Sequence, residues 1–276
     1  MKITNQKFAE ERALFRLHDS EVESCTFSGK EDGESPLKES NNLLVTNCNF
    51  DLRYALWHAE NSQVKNCEFS SLARAPFWYD KNVKFEGINS NSPKAFRECE
   101  KLELISCKVI SEEPFWKIRK FKGISSDFSG FYGFFMCKDL YLDNIKFDGK
   151  YSFQYCKNVV IKNSILNTKD AFWHASHVRV ENSKIKGEYI GWYSRNLVFV
   201  NCTIESHQGF CHCDNIKFVN CKMPNSDLVF EDSTIKGNII GRIESIKNPR
   251  RGKIIVDEVG SIIQEKPNKI VRVGVK

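Results

Sequence analysis

The pattern apolar, any, apolar, any, Asn, Cys or Ser, any, apolar recurs every nineteen residues along most of this chain, and few folds can accommodate it. NLVFVNCTI (196–204) and NIKFVNCKM (215–223) show two neighbouring copies. Counted from the first apolar residue, starts fall at Phe121, Leu140, Val159, Val178, Leu197 and Ile216, each nineteen after the last. The frame runs back through Leu102, Val83, Ser62, Leu43 and Ser20, with spacings of 19, 19, 21, 19 and 23. A degenerate first coil begins at Met1, where Asn5, Gln6 and Phe8 fill the later slots. After Ile216 the next start reads as Leu228, twelve residues on, which implies tighter winding near the end.

Alternation of period two marks strands rather than helices. A repeat this short cannot bury its apolar face alone, but stacked coils can, forming parallel sheets with strands about 4.8 Å apart. The expected fold is an all-β, right-handed parallel β-helix, a solenoid of about 12–13 coils with a commonest coil length of 19 residues. One domain is expected over 1–276. Residues 1–19 form a degenerate first coil or N-terminal cap, 20–235 the regular coils, and 236–276 an irregular basic C-terminal cap.

Stacking turns each column of the repeat into a ladder. Asn47, Asn66, Asn144, Asn163, Asn182, Asn201 and Asn220 share one column, and Asn tolerates the left-handed backbone of a tight turn. The next column holds Cys25, Cys48, Cys67, Cys107, Cys202 and Cys221, with Ser126, Ser164, Ser183 and Ser233 in other coils, all small enough for an inside corner. Six residues before each start stand Leu56, Phe77, Phe96, Phe115, Phe134, Phe153, Phe172 and Phe210, with Gly191 the one gap; such a stack reads as core. Three before the start come Ala59, Cys99, Cys137, Cys156, Ala175, Ser194 and Cys213. One before it lie Asn61, Asn82, Asn158, Asn196 and Asn215, a second turn ladder.

Composition excludes several function classes. Hydrophobic residues make up 41% and charged residues 28%, and there are only seven prolines, which argues for a folded chain. The net charge of +6 is concentrated at the end: nine Lys or Arg against four acids from Arg242 to Lys276 leave +1 for the rest. Nucleic acid is therefore not an expected partner, because no basic stripe with interleaved aromatics runs along the repeats. No apolar run reaches eighteen residues, so no membrane span is expected, and MKITNQKFAEERALF lacks the apolar stretch of a signal peptide. These features point to the cytoplasm. Eleven Cys, an odd number without paired spacing, read as reduced, packed thiols.

Segments such as DGESPLKES (32–40), DLRYALWHAEN (51–61), ARAPFWYDKN (73–82), KYSFQYCKN (150–158), KDAFWHAS (169–176), GEYIGWYS (187–194) and GKIIVDEVGSII (252–263) resemble a bacterial family catalogued as a domain of unknown function, number thirty-seven thirty-seven. The resemblance covers nearly the whole chain. It implies a pectate-lyase-like right-handed β-helix and no particular activity.

Candidate functional residues come from two adjacent columns. Five before each start stand Trp57, Trp78, Arg97, Trp116, Phe135, Gln154, Trp173, Trp192 and Cys211, which include all five tryptophans. The next column reads His58, Tyr79, Glu98, Lys117, Met136, Tyr155, His174, Tyr193 and His212. Arg and Gln among the tryptophans argue against a fully buried column, since a buried guanidinium needs a partner. Ring faces beside hydrogen-bonding groups suit a carbohydrate or other small polar ligand, with Trp57, His58, Trp78, Tyr79, Arg97, Glu98, Trp116, Trp173, His174, Trp192 and Tyr193 as binding residues. The competing reading packs the tryptophans over the sheet edge. Parity across the turn leaves open which column is the more exposed.

For catalysis the candidates are Asp80 and Glu98, near-equivalent carboxylates on successive coils, because glycoside hydrolysis needs two carboxyl groups about 5–9.5 Å apart. A solvated pair or an ion-pair partner is the plainer account of both. No metal site is expected: Cys211, His212 and Cys213 alternate in direction, and His174 and His212 are two coils apart. No cofactor is implied, and the oligomeric state is not legible. The stretch from 29 to 40, GKEDGESPLKES, reads as a loop leaving the coil. The preferred function is a non-catalytic binding scaffold; a glycoside hydrolase or polysaccharide lyase is the alternative.

Overall fold

The computed structural model describes residues 1–30, 33–265 and, as backbone, 271–275. Glu31 and Asp32 of the expected loop, and residues 266–270 and Lys276 of the expected cap, lie outside the described residues. The chain is an all-β parallel β-solenoid of about fourteen turns of about nineteen residues. No helix occurs among the described residues. The chain divides into two compact units, Met1–Tyr141 and Leu142–Lys276.

In the first unit the strands Lys2–Thr4, His18–Glu23, Asn41–Thr46, Gln63–Lys65, Lys81–Glu86, Glu100–Ile105 and Arg119–Ile124 stack in chain order, each parallel to the next. The repeat frame sets the register: Ile3 faces Val22, Ser20 faces Leu43, Val83 faces Leu102, and Leu102 faces Phe121. A second stack of shorter strands brings Phe8, Phe27, Phe50 and Phe69 into line, with ring centroids 5.2, 4.5 and 4.6 Å apart. This phenylalanine ladder adds to the expected one, in which Phe77, Phe96, Phe115 and Phe134 stack at 4.4, 5.0 and 4.5 Å, all fully buried.

In the second unit Val159, Val178, Leu197 and Ile216 align on successive strands. Here the structure corrects the expected frame. Ile216 faces Ile235, nineteen residues on, so Leu228 is not a start. Leu228 has a φ of +52° and belongs to the turn before that strand. Its neighbours misled because the turn is apolar and buried like a strand: Val229 and Phe230 are buried, and the Phe230 ring lies 6.2 Å from Phe210 as the next rung of the Phe ladder. Ser233 moves with the frame. Its hydroxyl accepts the Cys213 amide at 2.8 Å, which places it in the column of Cys213 rather than that of Cys221. The first short step comes later, from Ile235 to Gly252, seventeen residues on, and Gly252 then faces Val271.

The Asn column is left-handed as expected, with φ between +50° and +56° at Asn47, Asn66, Asn144, Asn163, Asn182, Asn201 and Asn220. Its amides also bond along the stack: Asn182 donates to Asn163 at 3.5 Å, Asn201 to Asn182 at 3.2 Å and Asn238 to Asn220 at 3.0 Å. Gly191, the gap in the Phe ladder, is filled from the next coil. An added Cβ there would sit 2.9 Å from Phe210 Cδ1 on a backbone with φ +78°.

Candidate functional site

The two candidate columns lie in the turn leading into each coil start. Along Phe77-Trp78-Tyr79-Asp80 the burial runs buried, half-buried, half-buried, buried. The outermost position is left-handed in every coil, at φ +57° for His58, +65° for Tyr79 and +53° for Glu98 in the first unit. In the second unit it is +58° for Tyr155, +54° for His174, +57° for Tyr193 and +56° for His212. Such a backbone costs a non-glycine residue of order 1–2 kcal/mol. Amides bonded to the next coil hold it there: His58 N donates to Trp78 O at 3.0 Å, and His174 N to Trp192 O at 2.9 Å.

The tryptophan column has a structural explanation that its composition concealed. Four of the five indole N–H groups reach a backbone carbonyl of the next turn: Trp57 to Ala75 at 2.6 Å, Trp78 to Lys94 at 2.7 Å, Trp173 to Tyr189 at 2.7 Å and Trp192 to Gln208 at 2.6 Å. Gln154 does the same through its amide, to Asp170 O at 3.2 Å. Gln therefore substitutes for Trp by supplying the same donor. Trp116 departs from the pattern, since its buried Nε1 has no partner.

The indoles also stack on one another instead of presenting their faces. Trp57 and Trp78 lie 5.2 Å apart and nearly parallel, as do Trp173 and Trp192 at 5.5 Å. The Arg97 guanidinium sits between Trp78 and Trp116, 4.8 and 4.7 Å from their centroids, which is how a cation is accommodated in a half-buried column. Lying flat against a sugar, as the sequence reading pictured, is therefore closed to Trp78, whose two faces are taken. Edges are what this column offers.

The outer column is the more exposed of the two, and much of it is also a ring stack. In the second unit Tyr155, His174, Tyr193 and His212 follow one another at 4.9, 5.2 and 5.0 Å with rings within 10° of parallel. Tyr155 and Tyr193 are about half exposed, at 50% and 48%. In the first unit His58 stacks on Tyr79 at 4.8 Å, and the column continues as an exposed ion pair, Lys117 to Glu98 at 3.4 Å.

Asp80 and Glu98 do not form a catalytic pair. Asp80 is fully buried in the small-residue column with Ala59 and Cys99, while Glu98 is exposed and paired with Lys117. Two carboxyl groups on opposite sides of the coil wall cannot flank one glycosidic bond. Burial pushes the Asp80 carboxyl well above the usual carboxylate range, only partly offset by the Ala59 amide donating to Oδ1 at 3.0 Å. Cys211 and Cys213 are buried, and burial pushes their thiols up to about 11 and about 12. Among the described residues no group of three His, Cys, Asp or Glu is arranged to hold a metal ion. Among the same residues no helix is long and apolar enough to cross a membrane.

Sequence reasoning missed a half-exposed pair, His207 Nδ1 and Asp227 Oδ1 at 2.9 Å. The two residues face each other one coil apart, a relation hidden by the misplaced start at Leu228.

No curated protein matches the sequence. Among solved structures, the chain is similar to the A-module of the mannuronan C-5 epimerase AlgE6 of Azotobacter vinelandii, with 10% identity, 96% of this chain and 81% of that chain covered, and a TM-score of 0.35. It is similar to a mutant tailspike protein of the E. coli bacteriophage HK620, solved in complex with a hexasaccharide, with 12% identity, 91% and 60% coverage, and a TM-score of 0.28. PfbA, a surface adhesin of Streptococcus pneumoniae, matches with 7% identity, 100% and 84% coverage, and a TM-score of 0.25. A family model matches residues 1–272, and the chain belongs to that family, described as Protein of unknown function (DUF3737).

Proposed function

We propose that this protein is a non-catalytic scaffold that binds carbohydrate along its outer aromatic column. The observation that carries the reading is the ladder of Tyr155, His174, Tyr193 and half-buried His212, whose parallel rings repeat at about 5 Å. With ring faces spent on stacking, a ligand would meet the edges, which bear phenol hydroxyls and imidazole nitrogens. An extended β-1,4-linked glycan advances by about one coil rise per sugar, so successive sugars meet equivalent hydrogen-bonding groups. A peptide strand, at about 3.3 Å per residue, falls out of step.

His58, Tyr79 and Glu98 make the corresponding column of the first unit. Trp57, Trp78, Arg97, Trp116, Trp173 and Trp192 fix the rung spacing from beneath and contribute indole edges. The separation of Asp80 from Glu98 favours binding over hydrolysis or elimination. The eleven buried thiols are consistent with a reducing cytoplasm, where we place the protein.

Calorimetric titration with neutral β-1,4-linked oligosaccharides tests this, with Tyr193→Asn as the variant because Asn accepts the left-handed backbone. The expected result is binding that this variant weakens while its melting temperature stays near that of the parent. Absence of binding across a broad glycan panel, or affinity indifferent to the loss of Tyr193, refutes the reading.

A further inference from the structure

The first unit carries a second surface feature, on residues that the aromatic columns do not use. A groove of about 550 Å³ runs across successive coils between the turn column and the outward positions of the first strand stack. Its lining includes Asn61, Asn82, Lys84, Lys101, Lys120 and Lys122. The carboxylates of Glu103 and Asp139 also line it.

Structure alone gives little reason for this lysine arrangement. Glu100 faces Arg119 and Leu102 faces Phe121, so Lys101 lies directly opposite Lys120 on the adjacent coil, a like-charge pairing that is unfavourable across strands. Both lysines adopt left-handed backbone, at φ +58° and +57°. The same column holds Asn42 and Asn82, whose amides bond to the coil before, Asn42 to Asp19 at 2.6 Å and Asn82 to Asn61 at 2.7 Å. Lysine breaks that ladder and adds repulsion. Lys120 and Lys122 are matched by Glu100 at 3.2 Å and Glu103 at 2.6 Å, whereas Lys101 has no ion pair among the described residues. The cost at Lys101, which no ion pair among the described residues repays, is expected at a binding site.

We propose that this groove binds a carboxylated linear glycan, a chain of uronate sugars, with Lys101 and Lys120 receiving carboxylates. The mixed lining selects this class. Amides and carboxylates hydrogen-bond sugar hydroxyls, while Glu103 and Asp139 oppose a ligand as densely charged as nucleic acid. Bases would also find no ring to stack on, because Phe121 is buried in the core. The inference rests on the same broad class of ligand as the proposed function but on different residues.

Titrations with oligogalacturonate, oligomannuronate, a neutral cello-oligosaccharide and inorganic polyphosphate test it on the full chain. The double variant Lys101→Asn, Lys120→Asn should keep its melting temperature, since Asn suits both positions. It should bind uronate oligomers at least about tenfold more weakly, with a loss that shrinks as salt rises. Tyr193→Asn reports on the ladder through the neutral chain and the double variant on the groove through uronate, so failure of the ladder and failure of the groove are read separately. Polyphosphate binding as tightly as uronate, a double variant that loses as much affinity for the neutral chain as for uronate, or a double variant that binds uronate like the parent overturns the proposal.

Discussion

Asp80→Ser should change how stability depends on pH, because Asp80 occupies a column whose polar members, Ser and Cys, both accept and donate a hydrogen bond. In that column Ile118 N donates to Cys137 Sγ at 3.2 Å, and Cys213 N to Ser233 Oγ at 2.8 Å. The same side chains then donate to a carbonyl of the previous coil, Cys137 to Phe115 O at 3.0 Å and Ser233 to Phe210 O at 2.7 Å. Asp80 accepts through Oδ1 from Ala59, and its buried Oδ2 has no hydrogen-bond partner. A neutral carboxyl, with one O–H, fits this pattern; a carboxylate leaves a buried charge uncompensated.

Burial raises the Asp80 pKa in the native state, so above the ordinary aspartate pKa the native chain holds a proton that the unfolded chain has released. Rising pH therefore favours unfolding. The loss is about 1.4 kcal/mol per pH unit for as long as the native carboxyl stays neutral, and it levels off above the native pKa. Serine at this position does not titrate and supplies the donor and acceptor found at Ser194 and Ser233. Urea denaturation of parent and Asp80→Ser at pH 5, 6 and 7 isolates the effect, since other titrating groups cancel in the difference. The variant should gain on the parent by about 1.4 kcal/mol at each step while the native carboxyl remains protonated. A difference that stays flat from pH 5 to 7, or moves in the parent's favour, refutes the neutral-carboxyl account.

Four further outcomes follow from the packing. Phe115→Ala removes a fully buried ring stacked on both sides and should cost about 3–5 kcal/mol in chemical denaturation; under 1 kcal/mol would mean the ladder closes around the gap. Arg97→Ala should cost about 1–3 kcal/mol, and Arg97→Trp, by completing the indole stack, should recover most of it; equal melting temperatures for all three chains would show that the sandwich contributes nothing. Gly191→Ala forces a Cβ towards Phe210 on left-handed backbone and should destabilise by about 1–3 kcal/mol, seen as a lower thermal midpoint. The eleven buried thiols should resist alkylation at neutral pH until the chain unfolds, and mass spectrometry finding rapid labelling of Cys107, Cys211 or Cys213 in the native protein would contradict their raised pKa values.

The repeat made most of the fold legible. Wherever the chain runs as a strand, period two states which residues face inward and a nineteen-residue period states which meet, and the pairings of Val83 with Leu102 and Val178 with Leu197 follow directly. Around Leu228 the same logic failed, because a turn that buries apolar side chains resembles a strand in sequence and only hydrogen bonding separates them. For Asp80 the signal was present but outweighed. Its place three residues before Val83 put it in the small inward column, while its charge type argued for the surface, and the column prevailed.

What the sequence determined by itself was the set of ladders, because stacking identical coils turns spacing into contact with no further information. Tertiary structure alone decided how those ladders are used in the turns. There the left-handed residues reset the direction of each side chain, so strand parity no longer predicts facing. Five tryptophans in one column looked like a ligand surface because composition records ring types and not ring orientation. Four of their N–H groups are committed to the next turn, and Trp57 stacks on Trp78 and Trp173 on Trp192, while Trp116 lies against Arg97. Exposure passes to the Tyr and His column beside them, and the lysine groove exists only because coils nineteen residues apart bring Lys101 and Lys120 together.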